Sequence, residues 1–197
     1  MERLEEASKS LKKALELDQG DGETWNNLGG VLRRLGMINA HNKYDWDTLR
    51  EARDSYKMAV ELNQYDIYAL GNVAKLDLML SKIEASCKTA ALDYFDTLRH
   101  LCPIQLKKSP NDYWIRFDLA DAHLLSGNVS EGHHLYKEAM QKVPAAYRSS
   151  TFSSVISPLQ NILFLDVVEE PINNVIKQLI EELTKASSQN IATTDGK

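Results

Sequence analysis

The chain has little that would support disulfide bonds or membrane insertion. Only two of its 197 residues are cysteines, Cys87 and Cys102, so we expect reduced, buried thiols and no disulfide framework. No apolar run approaches the ~20 residues that a membrane-spanning helix requires. The opening residues, Met1 to Glu6, lack the apolar core of a secretory signal. The sequence therefore predicts a cytoplasmic protein with no membrane partner.

Clustered basic residues are also missing. The net charge is −5 and the isoelectric point is near 5.6. The basic pairs Arg33-Arg34 and Lys107-Lys108 are isolated, whereas a nucleic-acid-binding protein presents a continuous basic face. Nucleic acid is therefore not an expected partner.

The motifs of common catalytic and metal sites are absent as well. The sequence has no glycine-rich phosphate loop, no Gly-x-Ser-x-Gly, no His-Glu-x2-His and no Cys-x2-Cys. The neighbours His133 and His134 would point about 100° apart on a helix, which does not suit one metal ion. Asp118 and Asp121 share a helix face, where a solvated or groove-lining acid pair is expected. We expect no enzyme activity, no cofactor and no metal.

What the chain does contain is a small–large–small ladder that occurs four times. The spacings of four and three residues place each ladder on one stripe of a helix, with small side chains where another helix comes close. A recurring stripe without strand-like alternation predicts an all-α protein of stacked helical repeats. The four ladders are Ala7-x3-Leu11-x2-Ala14, Ala52-x3-Tyr56-x2-Ala59, Ala91-x3-Phe95-x2-Leu98 and Gly132-x3-Tyr136-x2-Ala139.

The segment after the first ladder adds a family resemblance. Trp25-x2-Leu28-Gly29-x2-Leu32 follows that ladder, and the combination resembles the tetratricopeptide repeat (TPR). The resemblance implies a right-handed superhelical stack of antiparallel helix pairs, a TPR-like α-solenoid. It would form one domain over residues 1–186, with about three and a half repeats and a C-terminal capping helix. Such proteins usually bind other proteins.

The ladders are spaced more widely than the family period of about 34 residues. We therefore predict insertions near residues 37–48, 82–88 and 105–111. The first insertion carries Tyr44 and Trp46, which either pack locally on the adjacent helix or anchor a bound peptide or subunit. Each ladder helix is expected to end shortly after its ladder, twice at a proline that cannot continue it. Those prolines are Pro103 and Pro144.

Helix starts are also marked in the sequence. Thr48-x2-Glu51 predicts a capping box, and Ser109-Pro110 predicts a cap followed by a first-turn proline. Ser157-Pro158 indicates either two helices or one kinked helix. Pro171 opens a final helix with one strong apolar stripe, which covers the end of the stack or, alternatively, forms a homodimer. That stripe consists of Ile172, Val175, Ile176, Leu179, Ile180 and Leu183.

The first helix and the C-terminal tail each allow a prediction. The first helix, from Glu2 to Leu17, has an apolar face but no helix before it to pair with. It either caps the stack or marks the chain as part of a longer repeat array, and its unpaired face is the second candidate for a homodimer contact. The polar residues 187–197 are predicted to be disordered.

The resemblance also implies which residues would line the concave groove. One TPR subgroup grips a C-terminal carboxylate, and Asn27, Asn72 and Lys75 resemble part of that clamp. The third repeat has Trp114 and Asp118 where basic residues would be needed, so a carboxylate clamp is not expected. Instead we expect a protein partner's peptide or helix, bound by polar contacts around aromatic anchors. The predicted partner-binding residues are Asn26, Arg33, Arg34, Tyr68, Asn72, Lys75, Trp114, Phe117 and Asp121, with Gly30, Gly71, Met79 and Leu125 in neighbouring groove positions.

Two other functions fit the same fold. The chain could be a homo-oligomerisation module, or an accessory domain of a larger multidomain protein.

Overall fold

A computed structural model describes residues 2–37 and 44–188, and the regular structure in these ranges is entirely helical. The all-α prediction is confirmed for this part of the chain. None of the described helices is long and apolar enough to cross a bilayer. The elements are α1 (Glu2–Leu17), α2 (Gly22–Met37), α3 (Trp46–Leu62), α4 (Ile67–Leu80), α5 (Ser86–Lys108), α6 (Tyr113–Leu125), α7 (Val129–Lys142), a short 3-10 helix (Ala145–Tyr147), α8 (Arg148–Leu165) and α9 (Glu170–Ser188).

The chain divides into two compact units. Unit 1 is Met1–Tyr94 and unit 2 is Phe95–Lys197, so the boundary falls inside α5. A single continuous stack over residues 1–186 stays a prediction.

In unit 1, successive helices pack against each other in chain order from α1 to α4. Gly29 on α2 faces Tyr56 on α3, and Gly36 on α2 faces Leu49 on α3. Residue numbers therefore rise along α2 in the direction in which they fall along α3, so the two helices are antiparallel. A Cβ atom at Gly29 would lie 2.8 Å from ring carbons of Tyr56. Only a glycine therefore permits this approach, and it brings the α3 ladder fully into the interior.

Helices α1 to α4 of unit 1 form two layers. Lys12 on α1 forms an ion pair with Glu51 on α3 at 2.5 Å, which places these two helices side by side. Asn26 on α2 donates to the carboxylate of Asp66, the residue that caps α4, at 2.7 Å. We call these pairs the α1/α3 layer and the α2/α4 layer.

Unit 2 repeats the antiparallel contact between α6 and α7. A Cβ at Gly132 would lie 2.6 Å from backbone atoms of Leu124, while the Tyr136 hydroxyl donates to the Asp121 carboxylate. The C-terminal helix α9 packs against α8 and α7. The centre of its predicted stripe is buried there, so the stripe is already covered inside unit 2. The buried stripe residues are Ile172, Ile176, Leu179 and Leu183.

The first ladder differs from the other three. The ladders of α3, α5 and α7 are buried, but in α1 Ala14 is exposed and Ala7 and Leu11 are only half-buried. Instead, Ser8 and Leu15 are the buried residues of α1. Among the described helices α1 meets α2 and, through its Lys12 ion pair, α3, so burial falls on the side that faces them.

The prediction that a helix ends at Pro103 is wrong, because α5 continues through this residue to Lys108. A proline removes one backbone hydrogen bond, but the regular backbone hydrogen bonds of the helix resume beyond it. There the Ser109 amide donates to the Gln105 carbonyl at 2.9 Å. Most of the insertion predicted over 105–111 is therefore helical. Residues 81–85 connect α4 to α5, so part of the segment predicted as an insertion near 82–88 is a connection, and its being an insertion stays a prediction.

Of the insertion predicted over 37–48, residues 38–43 lie outside the described residues. Trp46 is the first residue of α3, and its ring centroid lies 5.2 Å from that of Tyr44. Both aromatic side chains are partly buried, which fits the local-packing interpretation of this pair.

Two predicted caps are displaced to nearby aspartates. Asp45, and not Thr48, caps α3 by accepting the Thr48 amide, and Asp112, and not Ser109, caps α6. A carboxylate accepts backbone N–H groups more strongly than a hydroxyl, because its charge also interacts with the helix dipole.

The proline predictions for the last two helices are resolved. Helix α8 is one helix that contains Pro158, and α9 begins one residue before Pro171. Ser187 and Ser188 end α9, and the rest of the predicted disordered tail lies outside the described residues.

The neighbouring glycines of α2 provide a matched test of the α2–α3 contact. In Gly29→Ala the new methyl group meets the buried Tyr56 ring, so we expect the free energy of unfolding to fall by about 1–3 kcal/mol. In Gly30→Ala the nearest atom, the Tyr56 hydroxyl oxygen, lies 3.4 Å away. That variant should be neutral or gain up to about 1 kcal/mol from helix propensity. Urea denaturation followed by circular dichroism measures both, and equal effects would contradict this packing.

Candidate functional site

Six of the nine predicted binding residues lie in the α2/α4 layer of unit 1. On α4, Tyr68, Asn72 and Lys75 follow the i, i+4, i+7 spacing of one helix face, and Tyr68 is 53% exposed. On α2 the same spacing places Asn26, Gly30 and the two arginines along one stripe. We call this surface the α2/α4 face, and it comprises Asn26, Gly30, Arg33, Arg34, Tyr68, Asn72 and Lys75.

The centre of the α2/α4 face is a pair of phenol groups beside a glycine. The hydroxyls of Tyr56 and Tyr68 lie 3.4 Å apart, and their rings meet edge to face. A Cβ at Gly30 would lie 3.4 Å from the Tyr56 hydroxyl and 3.9 Å from that of Tyr68, so the glycine leaves a shallow floor between the helices. Burial raises the pKa of Tyr56, against the opposing charges of Arg33 and Arg34, so its hydroxyl remains protonated and can donate.

The charge of this face is positive. The exposed Arg34 donates from Nε to the Gly30 carbonyl at 3.2 Å, and Arg33 is partly buried. Neither arginine has an ion pair within residues 2–37 and 44–188. The nearby acid, Asp66, is occupied by the Asn26 amide and the Ala69 amide. The face can therefore attract an anionic group.

The other three predicted residues lie in unit 2. Trp114 is 44% exposed and its ring is tilted against those of Tyr113 and Phe117, so it is an accessible aromatic side chain. Phe117 is buried against Tyr136, and the nearly buried Asp121 accepts the Tyr136 hydroxyl. Phe117 and Asp121 are thus placed in the interior of unit 2 more than on its surface.

Two neighbouring groove assignments are wrong. Met79 and Leu125 are 1% and 3% exposed, so both belong to the core. They lie late in α4 and α6, where those helices are almost entirely buried, and helical spacing alone does not reveal this.

The buried carboxylate of Asp77 is the polar feature that is least evident from the sequence. Asp77 on α4 is 0% exposed, with the Arg53 guanidinium at 3.3 Å and the Lys57 ammonium at 3.8 Å. Its Oδ2 atom accepts no hydrogen bond from any residue that the structure describes. Burial raises the pKa of Asp77 more than these two cations lower it. The sequence signal was only that an aspartate stands where the repeat pattern has a large residue.

The same neighbourhood contains Cys87, whose sulfur lies 3.7 Å from the Arg53 guanidinium. Burial raises the pKa of this thiol, which leaves it protonated and poorly nucleophilic. Both Cys87 and Cys102 are buried and form no disulfide bond in the described part of the chain, as predicted.

The histidines form no shared site in the described chain. His123 is partly buried, and burial lowers its pKa, in agreement with a packed neutral histidine. His133 lies 3.5 Å from Glu182, while His134 lies 3.5 Å from Glu138, so the two neighbours interact with different acids. Within the two described ranges, no group of three or more potential ligands could hold a metal ion.

Comparison of the sequence with models of known protein families gives no match, and comparison with curated proteins gives no relative.

The raised pKa of Asp77 gives a pH-dependent prediction. The Asp77 carboxyl keeps its proton to a higher pH in the folded protein than in the unfolded chain, where its pKa is 3.8. The free energy of unfolding therefore falls as pH rises through the pKa of the folded protein. Asp77→Asn does not titrate, so its free energy of unfolding relative to wild type should increase as pH rises from about 4 through the raised pKa of Asp77 in the folded protein.

Urea titrations across this pH range measure the difference between the two proteins. Asp54→Asn is the matched control, because Asp54 pairs with the same arginine but is exposed. A difference for Asp77→Asn that stays constant with pH would contradict the assignment.

Proposed function

We propose that this chain is a non-catalytic protein–protein interaction module, a cytoplasmic scaffold or adaptor, that binds a peptide or helix of a partner protein. The observation that carries the proposal is the α2/α4 face. Two arginines that form no ion pair with any described residue stand beside the exposed Tyr68, across the shallow floor at Gly30. Arginine and tyrosine are the residues that most often dominate binding energy at protein interfaces.

The chemistry of the face favours an acidic segment. Arg33, Arg34 and Lys75 supply positive charge, and the exposed Tyr68 supplies a hydroxyl beside it, whereas the predicted binding residue Asn72 is only 6% exposed and lies beneath this surface. A carboxylate can accept two parallel hydrogen bonds from a guanidinium, which gives direction as well as attraction. An extended or helical peptide with acidic side chains therefore fits this surface.

A TPR-like arrangement is part of the proposal. Antiparallel helix pairs with a glycine against a large residue occur in both units, at Gly29–Tyr56 and at Gly132–Leu124. Such repeated pairs support a right-handed superhelical stack in which α2 and α4 belong to the concave surface. In unit 2, the accessible Trp114 is the proposed aromatic anchor.

One observation favours a homodimer as the second candidate function. The α9 stripe is buried inside unit 2, but α1 exposes Ala14 and has Leu17 at 86% exposure. A dimer through α1 would cover this apolar edge. In sedimentation, a mass that doubles with concentration and returns to that of the monomer in Leu17→Glu would favour the dimer over the adaptor.

The adaptor proposal is tested by charge reversal on the α2/α4 face. The variant Arg33→Glu, Arg34→Glu, Lys75→Glu should fold normally but lose an acidic partner, with affinity reduced at least about tenfold. Affinity capture from the source organism's lysate, read by mass spectrometry and then repeated with the purified partner, measures the loss.

The matched control reverses three exposed lysines elsewhere in unit 1, as Lys9→Glu, Lys13→Glu and Lys88→Glu. This control carries the same net charge as the test variant, so the two variants should capture different amounts of partner only if the position of the charges matters. Equal capture by wild type and both variants, or equal loss in both, would refute the face as the binding site.

A further inference from the structure

The α1/α3 layer of unit 1 contains a groove that the proposed function does not use. Its floor is apolar and comes from three helices: Leu15 on α1, Trp25 and Leu28 on α2, and Met58 on α3. The open space is about 600 Å³, in the range of a true binding cleft. We call it the α1/α3 groove.

The rim of the α1/α3 groove is acidic. Four carboxylates line it, from Glu16, Glu51, Asp54 and Glu61, against only two lysines. Both lysines are engaged, because Lys12 pairs with Glu51 at 2.5 Å and Lys57 lies 3.8 Å from the buried Asp77. The rim therefore keeps a negative field over an apolar floor.

Glu16 and Glu61 carry most of this unbalanced charge. Neither has an ion pair within the described parts of the chain, whereas Asp54 is paired with Arg53 at 2.9 Å. Both side chains belong to exposed residues, so a ligand can reach them without rearrangement.

The length of the groove sets the size of its occupant. The α3 side runs from Glu51 to Glu61, which corresponds to about 15 Å of helix. A partner helix of about ten residues would match this length and place one apolar stripe of two to three turns on the floor.

We propose that the α1/α3 groove binds a basic amphipathic helix of a partner protein. The apolar stripe of that helix packs on Leu15, Trp25 and Met58, and its lysines or arginines pair with Glu16 and Glu61. A second copy of this chain suits the site poorly, because each copy carries a net charge of −5. The inference is independent of the α2/α4 face, which has the opposite charge and lies in the other layer.

A pair of synthetic peptides tests the groove on the full chain. The probe is a fluorescently labelled helical peptide of about 14 residues, built from leucine on one face and lysine and alanine on the other. Its partner replaces every lysine with glutamate. Fluorescence anisotropy should show binding of the lysine peptide, no binding of the glutamate peptide, and weaker binding as salt rises.

Two variants locate the binding. Glu16→Lys with Glu61→Lys should weaken the lysine peptide about tenfold, while Glu6→Lys with Glu23→Lys, which makes the same charge change on exposed residues outside the groove, should not. The triple reversal on the α2/α4 face should also leave this peptide bound, which separates the two proposals. Met58→Glu should weaken it by charging the floor, and circular dichroism checks that each variant is folded.

Several results would overturn the inference. The first is that both peptides bind equally well, and the second is that neither binds at protein concentrations up to about 1 mM. The third is that the variant Glu16→Lys with Glu61→Lys binds the lysine peptide as tightly as wild type does. Concentration-dependent self-association that the same variant abolishes would assign the groove to a second copy instead.

Discussion

The structure depends on one repeated contact, in which a small residue lets two antiparallel helices approach closely enough to bury a large neighbour. In unit 1 it is Gly29 against the ring of Tyr56, and in unit 2 it is Gly132 against the backbone of Leu124. Burial of a large aromatic side chain is among the largest single stabilising contributions available to a small domain. Because a methyl group would lie 2.8 Å from the buried Tyr56 ring at Gly29 and 2.6 Å from Leu124 backbone atoms at Gly132, these contacts fix both the spacing and the register of the helix pairs.

The same contact explains why unit 1 presents two different surfaces. Pairing in chain order places α1 beside α3 and α2 beside α4, so each layer exposes its own residues. One layer exposes arginines beside Tyr68, and the other exposes glutamates around an apolar floor. In the two binding proposals, this difference in charge would keep the partner of one surface from occupying the other.

The sequence predicted what local spacing determines and missed what neighbouring helices determine. The helices, the three buried ladders and the α9 stripe follow from periodicity, which is a property of the segment itself. The exposure of Ala14, the passage of α5 through Pro103 and the burial of Phe117 depend on what packs nearby. The caps at Asp45 and Asp112 depend on competition between adjacent acceptors. For the candidate site, the family resemblance suggested the stripe of Tyr68, but it could not show the depth of each residue.

The most direct test of the binding account is photocrosslinking in the source organism's lysate. A photoreactive phenylalanine analogue at Tyr68 would sit on the α2/α4 face, and the same analogue at the similarly exposed Tyr147 would sit in unit 2 as a control. We expect a discrete covalent adduct with one host protein from position 68 and not from position 147. No adduct from position 68, or the same adducts from both positions, would contradict it.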